Sequence, residues 1–186
     1  LDRSGSMTGY ANSGSTDQKI DVLKYASDEF IQMMTKDIGN KLGIVQFNED
    51  VVPFAAPQPD LKELTTANEI DFQNSVASLI ADGYTSMGDG LDEALNQLTA
   101  VSDPNPDQEI LLISDGKENR SLYIADVQPD LVANGIPVHA LGLGYSYGIN
   151  ETKLIDLATA TGGSYRITSD DILFRKYFLE ILAEAA

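Results

Sequence analysis

Short, unbroken apolar runs that alternate with amphipathic segments constrain the fold of this 186-residue chain more than any other feature. Three of these runs, Leu42–Phe47, Ile110–Ser114 and Pro137–Leu143, have the length of a β-strand. A fourth strand is expected over Ser164–Thr168. Strands that are apolar throughout are typical of a parallel sheet covered by helices on both faces. The sequence therefore predicts an α/β fold with a mostly parallel central sheet between two layers of helices.

The segments between the strands carry apolar residues at helical spacing. Two of them contain capping-box pairs, Ser15 with Gln18 and Thr66 with Glu69, which indicate helix starts. Val51–Ala55 is a short strand interrupted by a proline, so we expect it at an edge of the sheet. Helices are predicted from Ser15 to before Gly39, from Thr66 to about Ile80, over Leu91–Leu98, from about Leu122 to Ala133 with a kink or break at Pro129, from Asn150 to about Ala160, and from Ser169 to about Ala183, with proline-marked loops at Pro57, Pro59 and 103–106.

Composition limits the functions open to the chain. A net charge of −17 argues against nucleic acid and anionic membranes as partners, because both require a basic face. The chain has no cysteine and one histidine, His139, which argues against a zinc site and against Ser-His-Asp or Cys-His catalysis. No apolar run is long enough to cross a bilayer, so direct membrane insertion is not expected. Residues 1–186 are predicted to form a single domain.

The chain opens with a D-x-S-x-S pattern formed by Asp2, Ser4 and Ser6. Carboxylate and hydroxyl oxygens at this spacing suit a hard divalent cation such as Mg²⁺, Mn²⁺ or Ca²⁺. Thr85 lies in a glycine-punctuated loop before a helix, and Asp115 directly follows the Ile110–Ser114 strand. Open α/β sheets bind ligands at the carboxyl ends of their strands. We therefore expect three loops to bring two carboxylates and three hydroxyls together at one edge of the sheet.

Three motifs in this order resemble the von Willebrand factor type A domain family over essentially the whole chain. They are D-R-S-G-S at 2–6, G-Y-T-S-M-G-D-G-L at 83–91, and the apolar strand that ends in S-D-G at 114–116. The resemblance implies a Rossmann-like fold with one short antiparallel edge strand, for which Val51–Ala55 is the candidate. Segments 88–91, 114–119 and 174–179 look closest to prokaryotic members and to calcium-activated chloride channel regulators.

The resemblance also implies a metal-ion-dependent adhesion site at Asp2, Ser4, Ser6, Thr85 and Asp115. In this family pattern the two serines ligate the metal directly, the threonine does so in the ligand-bound state, and the two aspartates act mostly through water. Neutral hydroxyl ligands leave the cation electrophilic, so that a carboxylate of a partner protein can take the remaining octahedral position. The expected metal is Mg²⁺, with Ca²⁺ or Mn²⁺ as alternatives.

The function predicted from these residues is a divalent-cation-dependent protein-binding or adhesion module, without enzymatic activity. An extracellular or cell-surface location is expected, and a cytoplasmic one is left open. Type A domains also serve in intracellular chelatase-type and other ATPase assemblies, which is the main alternative. A Mg²⁺-dependent phosphoryl-transfer site with Asp2 as nucleophile is a weaker one, because position 4 is serine where that chemistry usually has a second carboxylate.

Only Leu1 precedes the D-x-S-x-S motif, although a strand of about 5–6 residues should lead into it. We therefore expect most of the first central strand to be missing from the amino terminus. The apolar-rich end of the chain, Y-F-L-E-I-L-A-E-A-A at 177–186, points the same way. The chain is accordingly interpreted as a piece of a longer polypeptide with other domains.

Three further features have simpler interpretations. The glycines of 142–148 imitate a dinucleotide fingerprint, but their spacing is wrong and a sheet-edge loop is favoured. His139 on an apolar strand is interpreted as a core histidine with a satisfied hydrogen bond. The acids Asp82, Asp89, Asp92 and Glu93 are interpreted as a solvated helix start, with a rim that tunes metal affinity as the alternative.

Overall fold

A computed structural model describes residues 1–36, 39–53, 61–100 and 108–184. Within these ranges strands and helices alternate strictly from Ile110 onward, as the apolar pattern predicts. None of the described helices is long and apolar enough to cross a membrane. The elements are α1 (Lys19–Met34), β1 (Lys41–Leu42), β2 (Val45–Phe47), β3 (Val51–Pro53), β4 (Lys62–Glu63), α2 (Glu69–Ala77), α3 (Met87–Ala100), β5 (Ile110–Ser114), α4 (Ile124–Asn134), β6 (Val138–Leu143), α5 (Glu151–Thr161), β7 (Tyr165–Thr168) and α6 (Asp171–Glu184), with 3₁₀ turns at Gly5–Thr8 and Ser146–Gly148.

The central sheet is mostly parallel. β5, β6 and β7 pair in that order, all parallel, with Ile110 opposite Val138. β2 and β3 form an antiparallel pair, so the predicted short antiparallel strand is present. The chain start joins the two groups, because Asp2 N–H donates to Ile113 O at 3.0 Å while Phe47 N–H donates to Leu1 O at 3.0 Å. Residues 1–3 therefore occupy the central position between β2 and β5.

Helices cover both faces of this sheet. Ile113 and Leu141 point into a cluster formed with α1, α2 and α6, whereas Leu112 and Ala140 point into a second cluster formed with α3, α4 and α5. Successive residues of a strand face opposite sides, so both sides of β5 and β6 are buried. This burial explains why these strands are apolar throughout and confirms the predicted layered α/β architecture.

An apolar cavity of about 330 Å³ continues from Leu1 between β2 and β5. The nitrogen of Leu1 donates to Val45 O at 2.6 Å. It thus makes the hydrogen bond that a backbone N–H makes in a strand ladder.

Several predicted boundaries were wrong. α1 begins at Lys19 with Gln18 as N-cap, and α2 begins at Glu69 with Asn68 as N-cap, so neither predicted capping box forms. The predicted strand Leu42–Phe47 is divided between β1 and β2, because β1 pairs with the unpredicted β4 and not with β3. α4 continues through Pro129 without the predicted break. Phe54, Ala55, Pro57, Pro59 and the loop at 103–106 lie outside the described residues.

Candidate metal site

Asp2 is the most deeply buried member of the predicted site, with no exposed surface. The N–H of Ser4 donates to Oδ1 of Asp2 at 2.7 Å, and the hydroxyl of Ser114 donates to Oδ2 at 2.5 Å. Burial raises the pKa of Asp2, and the nearby Asp115 carboxylate raises it further, while the hydrogen bonds from Ser114 and Ser4 act in the opposite direction. Asp2 therefore fixes the start of the turn that carries Ser4 and Ser6, which we call the serine turn. It also places a carboxyl group beneath this turn.

The two serines and Asp115 form a connected group above Asp2. Ser4 Oγ lies 3.1 Å from Ser6 Oγ, since the turn at Gly5–Thr8 brings the two hydroxyls to the same side. The Ser6 hydroxyl donates to Oδ1 of Asp115 at 2.7 Å, across 109 positions of sequence. Ser4 is buried, whereas Ser6 is exposed to solvent. The group is thus open to the outside at Ser6.

Thr85 borders the same space. A Cβ built on Gly116 would lie 3.5 Å from Ser6 Oγ and 3.8 Å from Thr85 Oγ1, so a glycine here leaves room between the two hydroxyls. The side chain of Asn119 accepts a hydrogen bond from Thr85 N–H at 3.0 Å, and Thr85 O accepts one from Asn119 N–H at 2.9 Å. Thr85 is only 3% exposed. The structure therefore brings all five predicted residues to one place at the carboxyl edge of the sheet.

Asn48, which directly follows β2, links the turn of Ser4 and Ser6 to the loop that carries Thr85. Its Oδ1 accepts from Arg3 Nη2 at 3.0 Å, and its Nδ2 donates to Asp82 O at 3.0 Å. Its backbone oxygen accepts from Ser86 N–H at 2.6 Å, next to Thr85. This residue is buried, so its hydrogen bonds are shielded from water. Asn48 thereby fixes the distance between the serine turn and the Thr85 loop.

The donor set fits a hard divalent cation. Within the part of the chain that the structure describes, no three His, Cys, Asp or Glu side chains cluster so as to hold a metal ion. A cation at this edge would therefore depend on hydroxyls as well as on carboxylates. Ser4, Ser6 and Thr85 supply three neutral oxygens, while Asp2 and Asp115 supply the negative charge. Oxygen ligands of this kind suit Mg²⁺, Mn²⁺ or Ca²⁺.

Sequence reasoning missed four residues that shape the site: Ser114, Asn48, Asn119 and Lys19. Ser114 could have been found, because it is part of the S-D-G sequence that marks the end of β5. Asn48 and Asn119 act through contacts between distant loops, and a single sequence carries no signal for such contacts. Lys19 is the first residue of α1 and its side chain contacts Asp115.

The remaining candidates have structural roles. His139 is 7% exposed and its Nδ1 lies 2.9 Å from Ser164 Oγ, in agreement with a core histidine. Asp89 accepts a hydrogen bond from the Ser86 hydroxyl at 2.6 Å at the start of α3. Asp92 and Glu93 accept hydrogen bonds from Asn96 and Gln97 one turn further along α3. The glycines at 142–148 belong to the end of β6 and the loop after it.

The raised pKa of Asp2 predicts that metal affinity weakens as the pH falls. A raised pKa means that Asp2 takes up a proton at a higher pH than a free carboxyl group does, and this proton competes with the cation. Titration of Mn²⁺ at a series of decreasing pH values, over which the protein remains folded, should show affinity falling with decreasing pH. Buffers of different ionisation enthalpy should reveal proton release on binding. Affinity that stays constant across this range would contradict the prediction.

The chain matches a known protein family over more than half of its length. The model of the von Willebrand factor type A domain family matches residues 1–118. No curated protein matches the chain.

Solved structures support the same fold. A von Willebrand factor type A protein from Catenulispora acidiphila superposes with a TM-score of 0.82 at 22% identity, covering 99% of this chain and 41% of that one. The PilB minor pilin from Streptococcus sanguinis gives 0.77 at 17% identity, with 98% and 59% covered. Proximal thread matrix protein 1 from the mussel byssus, in a structure with a zinc-occupied MIDAS motif, gives 0.72 at 22% identity, with 98% and 45% covered. The chain thus spans about 41% to 59% of the length of these proteins.

Proposed function

Because the chain belongs to the von Willebrand factor type A domain family, we propose that it is a divalent-cation-dependent module that binds an acidic residue of a partner protein. The observation that supports this most is the convergence of Asp2, Ser4, Ser6, Thr85 and Asp115 at the carboxyl edge of the sheet. The Ser6–Asp115 hydrogen bond at 2.7 Å joins the first and last of the three loops. We take these five residues as the metal site.

A bound Mg²⁺, Mn²⁺ or Ca²⁺ would supply an electrophile for a carboxylate. The protein's own part is to hold the ligands in place. Asp2 orients Ser4 through the Ser4 N–H, Asp115 accepts from Ser6, and Asn119 holds the backbone of Thr85. The donors expected to contact the cation directly are neutral hydroxyls, and the two aspartates are expected to act mostly through water, so the cation stays electrophilic toward a partner's Asp or Glu.

An arginine and a tyrosine lie beside the site. Arg120 lies over the ring of Tyr84, with its guanidinium carbon 3.9 Å from the ring centroid. Tyr84 is 50% exposed and directly precedes Thr85. Arg120 is also about half-exposed, and its Nε lies 3.9 Å from Oε2 of Glu49. A partner's carboxylate can therefore approach Arg120 from the outer side only in competition with Glu49.

We propose binding without catalysis. The phosphoryl-transfer alternative requires Asp2 as a nucleophile, but Asp2 has no exposed surface and both of its oxygens accept hydrogen bonds. We also propose an extracellular or cell-surface setting over an intracellular assembly role. Two of the structural relatives, a minor pilin and a byssus thread protein, are consistent with that setting.

The proposal can be tested without knowing the natural partner. A displayed library of random peptides is selected on the purified chain in Mg²⁺, and bound clones are eluted with EDTA. We expect the enriched peptides to share an Asp or Glu whose replacement by Asn or Gln abolishes binding. The Ser4→Ala/Ser6→Ala variant, used as bait in parallel, should yield no such clones. Peptides that bind equally well in EDTA would contradict the proposal.

A further inference from the structure

Lys19 contributes a positive charge to the metal site itself. Its Nζ donates to Oδ2 of Asp115 at 2.5 Å, and the side chains are 15% and 0% exposed, respectively. The other oxygen of Asp115 accepts from the Ser6 hydroxyl. Both oxygens of this carboxylate are therefore engaged by groups of the protein.

The fold places Lys19 there in a defined way. Lys19 begins α1, and its backbone N–H donates to Gly9 O at 2.9 Å, just after the serine turn. The side chain then passes two glycines. A Cβ built on Gly9 would lie 3.9 Å from Nζ, and one built on Gly144 would lie 3.8 Å from it. The ammonium group thus reaches Asp115 through a gap between the loop after the motif and the loop after β6.

From these contacts we propose that Lys19 is an internal counter-cation of the site, which pairs with Asp115 in the metal-free protein and lowers its affinity for divalent cations. The inference rests on the metal-binding function proposed above. It adds a regulatory residue outside the five predicted ligands.

Charge is the physical reason. Without a cation, Asp2 and Asp115 are two buried carboxylates at close quarters, and such pairs are unfavourable unless compensated. Lys19 compensates one of them. When a divalent cation arrives, the ammonium becomes a like charge at short range, in surroundings where screening by water is weak. The same residue therefore stabilises the metal-free state and opposes the metal-bound one.

The structure also contains a space into which the ammonium group of Lys19 can move. A cavity of about 510 Å³ lies beside Lys19 and Asp115, bordered by Tyr10, Ser13, Gly144 and Tyr145. Lysine side chains are long and flexible, so Nζ can turn from Asp115 into this space while α1 stays in place. Binding of the cation and withdrawal of the ammonium can thus be coupled without any movement of the sheet.

The test compares Lys19→Met with Lys19→Arg, which keeps the charge, and with Lys176→Met, which removes the same charge from an exposed pair on α6. Mn²⁺ affinity is measured by calorimetry, and melting temperature is measured in EDTA and in Mn²⁺. For Lys19→Met we expect an affinity gain of about tenfold, a lower melting temperature in EDTA, and a larger rise on adding Mn²⁺. Lys19→Arg and Lys176→Met should both remain within about twofold of the wild-type affinity. If Lys19→Met does not fold, Lys19→Gln replaces it with the same expectations.

Two failures can be told apart. A wild-type chain that binds Mn²⁺ and a folded Lys19→Met variant that binds it equally or more weakly would overturn the role of Lys19 alone. If neither protein binds Mn²⁺, the proposed metal site is itself wrong, and the role of Lys19 fails with it.

Discussion

Replacing Ser4 and Ser6 together by alanine is expected to reduce the affinity for Mg²⁺ and Mn²⁺ by at least about a hundredfold, since each lost ligand removes on the order of 1.4 kcal/mol or more. These hydroxyls lie 3.1 Å apart, and they are the donors we expect to contact the cation directly. The fold should persist, because in the metal-free protein each hydroxyl stabilises the chain only through hydrogen bonds worth about 1 kcal/mol each. Calorimetric titration of both cations measures the effect.

A matched control for this variant comes from two helices away from the site. Ser78→Ala/Thr99→Ala removes two exposed hydroxyls, which donate to the backbone oxygens of Ser75 and Leu95. Its cation affinity should equal that of the wild type. Retained affinity in Ser4→Ala/Ser6→Ala, at an unchanged melting temperature, would mean that the cation binds elsewhere or through other ligands.

Replacing Phe47 by alanine is expected to lower the free energy of unfolding by about 3–5 kcal/mol. Phe47 is 1% exposed and belongs to the core cluster formed with α3, α4 and α5. Its ring packs against Gly90, where an added Cβ would lie 2.6 Å from Cδ1, so the ring fills the space beneath the start of α3. Its backbone bonds to Leu1 and Arg3 on either side of Asp2. Loss of the ring therefore weakens the support of both the serine turn and the Thr85 loop.

Urea denaturation with circular dichroism gives the stability, and Mn²⁺ titration of the folded fraction gives the effect on the site. Phe47→Leu should show a smaller loss, because it leaves a smaller cavity. Ile80→Ala, at a side chain that is 74% exposed, should change stability by no more than about 0.5 kcal/mol. A Phe47→Ala protein as stable as the Ile80→Ala control would show that the cluster does not depend on this ring.

The layered fold could be predicted from the sequence because a strand that is buried on both faces is apolar at successive positions. Ile110–Ser114 was predicted with the bounds that the structure has, and the strand predicted at Pro137–Leu143 begins one residue later, at Val138. The residues at which the helices begin were harder to predict. Ser15 has the spacing of a capping residue, yet its hydroxyl donates to Asp17 O, and α1 begins four residues later, at Lys19. Local spacing alone does not decide between a cap and a turn.

The candidate site likewise has parts that could be predicted from the sequence and parts that could not. Asp2, Ser4 and Ser6 form a compact motif, and the ends of apolar strands indicate where Asp115 should lie, so the group could be assembled from sequence order and topology. The partners that hold it could not. Lys19 reaches Asp115 across 96 positions, and Asn48 reaches Arg3 across 45. Such contacts depend on the packing of loops, and in sequence both residues look like ordinary polar surface positions.

The most direct test is a crystal structure of the chain with Mn²⁺, using anomalous scattering to locate the metal. We predict an anomalous peak within about 2.0–2.6 Å of Ser4 Oγ and Ser6 Oγ, with Thr85, Asp2 and Asp115 around it directly or through water, and with Nζ of Lys19 no longer bonded to Asp115. A peak elsewhere, with the Ser6 hydroxyl still donating to Asp115 and no density between the two serines, would contradict the proposed site.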